Sequence, residues 1–175
     1  MAQRYYNPPA DMQPDDDVHT HLCELLRSQG AAFRIVEHEP EGRTEVIARI
    51  RGNRLDQAIK SIVVQVRISR KENRYCLANV PGDRRVDLEA IRTHFKAAGV
   101  GFANRDKAEA LTGCVAGSIP PFSFNDQLAL LADPLVLAND EVVFNAGRLD
   151  RSIFMRSADY VRIAGPLLIP IAEQS

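Results

Sequence analysis

The 175-residue chain has no surplus of either charge: 22 Lys and Arg stand against 23 Asp and Glu, mixed along its length. A broad grip on nucleic acid needs a Lys/Arg excess to displace counterions. The balance therefore excludes an extended DNA or RNA coat and leaves open contact with the end of an RNA. No apolar run approaches the length of a membrane span. Residues 1–17 are polar and dotted with proline, and they do not read as a signal peptide. Cysteine is scarce. Cys23, Cys76 and Cys114 make an odd count with no C-x-x-C spacing, which argues against a disulfide frame or a zinc site. Reduced thiols in a cytoplasmic protein are the plain expectation. His19 and His21 stand two apart on a predicted helix and so point to different sides, which reads as a solvated pair rather than a metal site. No metal and no cofactor are expected. There is also no internal repeat and no long linker, so residues 1–15 are expected to form a flexible leader and 16–175 a single domain.

What is present is a run of short, well-patterned elements. Asp16 or Asp17 can cap a helix to about Ser28, with Val18, Leu22, Leu25 and Leu26 on one face and Gly30 ending it. "AFRIVEH" predicts a short strand, and "RTEVIARIRG" a short helix closed by Gly52. "AIKSIVVQVRI", the turn "RKEN" and "RYCLANV" predict an antiparallel pair. A helix is expected from about Asp87, with Leu88, Ile91, Phe95 and Ala98 at helical spacing. After the brief extended piece "VGFAN", Asp106 is expected to cap a helix, with Glu109 as its capping-box partner and Gly113 as its stop. "LALLADPLVLA" gives a buried strand and a turn, and "EVVFNAG" with "RSIFMR" a hairpin. "SADYVRI" gives a last helix with Ser157 as cap. Interspersed strands, helices and hairpins predict an α+β fold with a mixed, mostly antiparallel sheet and flanking helices.

Two features stand out against that background. In "AIKSIVVQVRI", Lys60, Ile62, Val64, Val66 and Ile68 share one face, which is apolar except for the lysine. Lysine is almost never fully buried without a partner. Two readings fit: a stem snorkelling at a sheet edge, or an ammonium at the mouth of a pocket. The other feature is "TGCVAGSIPPF", where Gly113, Gly117 and Pro121 recur every fourth position. Glycine lets a backbone adopt positive φ and lets a ligand approach closely. Pro120 and Pro121 fix φ and remove competing donors. Such a loop can aim free amides at an oxyanion, at roughly 3 kcal/mol per donor. By itself it also fits a surface turn with a helix-stop glycine.

Taken together, these pieces resemble the YbaK / prolyl-tRNA synthetase-associated editing domain family. The matching segments are "VEHEP", "RTEVIARIRGNRLDQAIKSIVV", "YCLANVPGDRRVDLEAI", "EALTGCVAGSIPPF", "LLADPLVL" and "VVFNAGRLDRSIFM", spanning roughly residues 34 to 160. The resemblance implies a small α+β domain whose mixed sheet curls around a cleft. It implies hydrolysis of tRNA carrying the wrong amino acid. With no synthetase domain in the sequence, a freestanding deacylase acting in trans is expected. Its partners would be the aminoacyl-tRNA acceptor end and a synthetase, with no DNA and no membrane.

By the same resemblance, Lys60 would hold the phosphate or ribose of the terminal adenosine, and the loop from Gly117 through Ser118, Ile119 and Pro120 to Pro121 would bind the ester carbonyl. Asp133 matches a recurrent acidic position. Asn145, Ala146 and Gly147 match the segment lining the aminoacyl pocket. Related synthetase-inserted domains carry a histidine near that segment, and "FNAGRLDRS" has none. Water would attack the ester with help from the substrate's own hydroxyl and amine. A small pocket separates near-equals poorly, because a methylene is worth only about 1–3 kcal/mol. Small residues are therefore expected (alanine, serine, threonine or cysteine), with alanine on proline tRNA as the leaning. Two rivals stand beside this: a thiol enzyme using Cys114, and a module that binds a tRNA end or a synthetase without hydrolysis.

Overall fold

A computed structural model describes residues 17–174. The expected leader, 1–15, and Asp16 as an alternative cap lie outside the described residues. Helix α1 (Val18–Ser28) is capped by Asp17, whose carboxylate accepts from Thr20 N–H at 2.9 Å. It buries Leu22, Cys23 and Leu26. Strand β1 (Phe33–Glu37) and helix α2 (Thr44–Arg51) follow, the helix ending at Gly52. Strands β2 (Ile59–Ser69) and β3 (Glu72–Pro81) form a long hairpin whose turn is tighter than "RKEN", since pairing resumes at Ser69↔Glu72. Then come α3 (Leu88–Phe95), β4 (Gly99–Phe102), α4 (Arg105–Thr112), β5 (Leu128–Ala132), β6 (Glu141–Arg148), β7 (Arg151–Arg156), α5 (Ser157–Ala164) and the two-residue β8 (Leu167–Leu168).

The fold is α+β. Its strands form a five-stranded mixed sheet, β4-β2-β3-β5-β8, and a three-stranded antiparallel sheet, β1-β7-β6. In the larger sheet β2 pairs antiparallel with β3 and β4, while β3-β5 and β5-β8 are parallel. A single parallel bridge, Ala58↔Val143, ties the two sheets where β2 begins. Of the β2 face headed by Lys60, Val64 and Val66 are fully buried and pack with Cys76, Ala78 and Ile91. The opposite face is covered too: Val63 packs with Leu77, Leu111, Leu128 and Leu130. A third cluster joins α1 and α5 to the smaller sheet through Leu22, Leu26, Phe144, Ile153, Met155 and Tyr160.

Three local expectations need correction. Helix α4 starts two residues early. Asn104, not Asp106, is its cap and accepts from Lys107 N–H at 2.8 Å. Glu109 instead accepts from Arg105 and from Ala116 N–H, so no capping box forms. Ser157 is the first residue of α5 rather than its cap, and its hydroxyl donates to Asp140 O at 3.3 Å. His19 is not simply solvated, since its Nδ1–H donates to Ala146 O at 2.7 Å and ties α1 to β6.

Candidate functional site

The start of β2, the inner face of α2 and the glycine loop meet where the two sheets join. They enclose a cavity of about 210 Å³. Thr44, Ile47 and Arg51 line it from α2, at positions that share one helix face. Ile59, Lys60, Ser61 and Ile62 line it from β2, Gly117 and Ile119 from the loop, and Asn145 from β6. Lys60 and the loop, 57 positions apart at Gly117, therefore share one opening.

Lys60 is half-buried. Loss of water holds its ammonium below the usual lysine range, while Glu45 and Asp83 pull it back up and Arg85 pushes it further down. None of the described residues forms an ion pair with it. The charge borders the cavity, with the Glu45 and Asp83 carboxylates near enough to be felt but not in direct contact.

The loop is held from below by β6. Asn145 Nδ2 donates to Gly117 O at 2.7 Å and to Glu41 O at 3.2 Å, and Gly147 N–H donates to Ser118 O at 2.9 Å. Gly117 has φ +87°, and a Cβ there would lie 2.8 Å from Gly42 Cα. Only glycine meets both demands, the left-handed backbone and the close approach.

The loop's donors can be sorted one by one. Ser118 N–H is spent on Val115 O at 3.0 Å, and its fully buried hydroxyl donates to the same carbonyl at 2.8 Å. Pro120 and Pro121 are buried and carry no N–H. The N–H groups of Gly117 and Ile119 have no acceptor among the described residues, and both residues line the cavity. The donor set is thus Gly117 and Ile119.

Ala146 and Gly147 do not line the cavity. Ala146 is fully buried, and Gly147 (φ +80°) sits against the start of α1, where a Cβ would lie 2.9 Å from His19 N. Asp133 stands elsewhere. Its carboxylate accepts from Leu135 N–H, Ile171 N–H and Ala172 N–H, all at 2.8 Å, and clasps the C-terminal segment to the end of β5. Three backbone donors leave it little capacity for a ligand.

Arg51 is the residue that the sequence reading missed. It is largely buried, and burial pushes its guanidinium down to about 10. Its hydrogen bonds go to neutral oxygens: Asn53 Oδ1 (3.0 Å), Asn145 Oδ1 (3.2 Å) and Ser152 Oγ (3.1 Å). It therefore braces Asn145, which in turn holds Gly117. The signal was available: Arg51 is a cation on the helix face of Thr44 and Ile47, the same anomaly as Lys60.

The lining carries no carboxylate and no imidazole. His38 is outside it, with Nδ1–H donating to Glu39 O at 2.9 Å and Nε2 sharing a 2.7 Å hydrogen bond with Ser152 Oγ. His94 is exposed on α3. Cys114 is buried, and burial pushes its thiol up to about 12. A thiol so hard to ionise makes a poor nucleophile at neutral pH.

Comparison with known proteins bears on the family and the fold. The family model for the aminoacyl-tRNA editing domain matches residues 38–163. The multifunctional Ser/Thr-tRNA deacylase ProXp-y of Escherichia coli (strain K12) is 41% identical over 160 residues, covering 91% of this chain and 95% of that protein. Among solved structures, a hypothetical protein superposes with a TM-score of 0.78 at 19% identity, covering 87% of this chain and 99% of the other. A candidate trans-editing enzyme for prolyl tRNA synthetase superposes at 0.73 and 21% identity, covering 93% and 99%. At those identities the two structures speak to the fold.

Proposed function

The chain belongs to the aminoacyl-tRNA editing domain family, and from that premise we propose that it is a trans-acting deacylase whose substrates are tRNAs mischarged with serine or threonine. The observation that carries this is the shared cavity: an ammonium in no ion pair and two amides with no acceptor among the described residues converge on about 210 Å³ of space. Lys60 grips the phosphate or ribose of the terminal adenosine. Gly117 and Ile119 N–H groups receive the ester carbonyl as it becomes an oxyanion, at roughly 3 kcal/mol per donor. Asn145, braced by Arg51, holds the loop so that these donors need not reorganise during the reaction. With no acid or imidazole in the lining, a water activated by the substrate's own hydroxyl and amine delivers the attack.

The leaning towards alanine on proline tRNA gives way here to hydroxylated residues. The relative named above is a Ser/Thr-tRNA deacylase. Thr44 lines the cavity, and its hydroxyl has no hydrogen-bond partner among the described residues. That hydroxyl suits a side-chain OH. No helix among the described residues is long and apolar enough to cross a membrane. A synthetase is a natural second partner for a chain with so little surplus charge of its own.

The test is a deacylation panel of seryl-, threonyl-, alanyl- and prolyl-tRNA, run with the native chain and with Lys60→Ala. Release of serine and threonine, lost at least tenfold in the variant, is the expected result. Turnover indifferent to Lys60→Ala would remove the site assignment. Binding without turnover on any member would return the chain to the binding-only reading.

A further inference from the structure

A second cavity, of about 440 Å³, adjoins the first, sharing Lys60 and Ile62 with it. Phe102, at the end of the edge strand β4, lines it too. Phe102 pairs with Val64 of β2, yet its side chain is 57% exposed, the most of any large hydrophobic residue described. Arg85, also in the wall, is exposed and has no ion pair among the described residues. Three acidic residues border the groove. Asp87 is spent as the α3 cap, accepting from Ala90 N–H, and Glu89 is paired with Arg92. Glu173 is left facing solvent at the rim.

We propose that this groove holds the nucleotide that precedes the terminal adenosine, with its base stacked on Phe102 and the phosphate that joins it to the terminal adenosine between Lys60 and Arg85. The proposal rests on the deacylase reading and deepens it. The ester sits on the last nucleotide of a single strand, so the strand must leave the reaction cavity by some exit. The exit through Lys60 leads past an exposed aromatic ring and a free guanidinium. A ring that offers a face to any base, next to cations that follow the backbone, is how proteins bind single strands without reading sequence.

The chain has no tryptophan, so Phe102→Trp installs a single tryptophan in the groove, which can be excited apart from the four tyrosines. Titration with a short oligoribonucleotide ending in CCA quenches that fluorescence saturably, while free adenosine does not. No quenching by the oligonucleotide at millimolar concentration overturns the proposal. Kinetics supply the second reading. Phe102→Ala raises KM for seryl-tRNA about tenfold with kcat kept, and leaves hydrolysis of the lone nucleoside ester, seryl-adenosine, unchanged. Equal losses on both substrates, or no loss on tRNA, overturn the proposal. If the native chain hydrolyses neither substrate, the deacylase reading fails, and the fluorescence titration still decides whether the groove takes a nucleotide.

Discussion

Lys60 and Arg51 illustrate what a single residue can reveal. Each is a long cation at a position whose strand or helix neighbours are apolar, and each lines the cavity. Lys60 stood out because β2 alternates cleanly. Arg51 was hidden because a helix of eight residues offers barely two turns of period. Thr44 and Gly117 give sharper tests. Thr44→Val keeps the shape and removes the hydroxyl. It should lower kcat/KM for seryl- and threonyl-tRNA tenfold or more relative to alanyl-tRNA, read in a competition assay. Gly117→Ala forces a Cβ against the Gly42 backbone and a strained φ, at about 1–3 kcal/mol. Moving the loop should lower kcat about 100-fold, the usual cost of a misplaced oxyanion donor. A variant with native kcat would show that the amides are not used.

At the scale of elements, local pattern located the five α-helices of the described residues and most strands, because burial periodicity and glycine stops are written locally. It erred where two local signals compete, as at Asn104 and Asp106, and it passed over β8, which is too short to carry a period. Asp133 shows the other limit. Its partners Ile171 and Ala172 lie 38 and 39 positions on, and no spacing rule announces them. Asp133→Ala leaves three backbone N–H groups without their acceptor. The chain should lose about 3 kcal/mol or more of stability, seen as a lower denaturant midpoint. Lys60→Ala, by contrast, removes a desolvated charge and should leave the midpoint within about 0.5 kcal/mol of native. The reverse pattern would exchange the structural and functional roles assigned to these two residues.

For the whole molecule, the α+β class was legible from the mixture of elements, but the division into two sheets was not. The bridge Ala58↔Val143 joins residues 85 positions apart and decides where the cavity opens. The position of the loop opposite Lys60 came through family resemblance rather than through any local rule. Charge balance gives the last prediction. With a net charge of −1, the chain can make few phosphate contacts. Two such contacts give log affinity against log salt a slope of about −1.4 on a single strand. A slope several times steeper, measured by filter binding, would reveal a wider RNA footprint than the two cavities provide.

The separation of duties inside the cleft bears on how quickly the catalyst frees itself. In the proposed site, cutting the ester would abolish what Gly117 and Ile119 are assigned to recognise, but would leave the terminal adenosine and its phosphate intact for Lys60. Discharged tRNA would therefore compete with fresh substrate almost as an equal. A looser hold on the adaptor is the condition for repeated rounds, and a variant engineered to cling harder would stall on its own product.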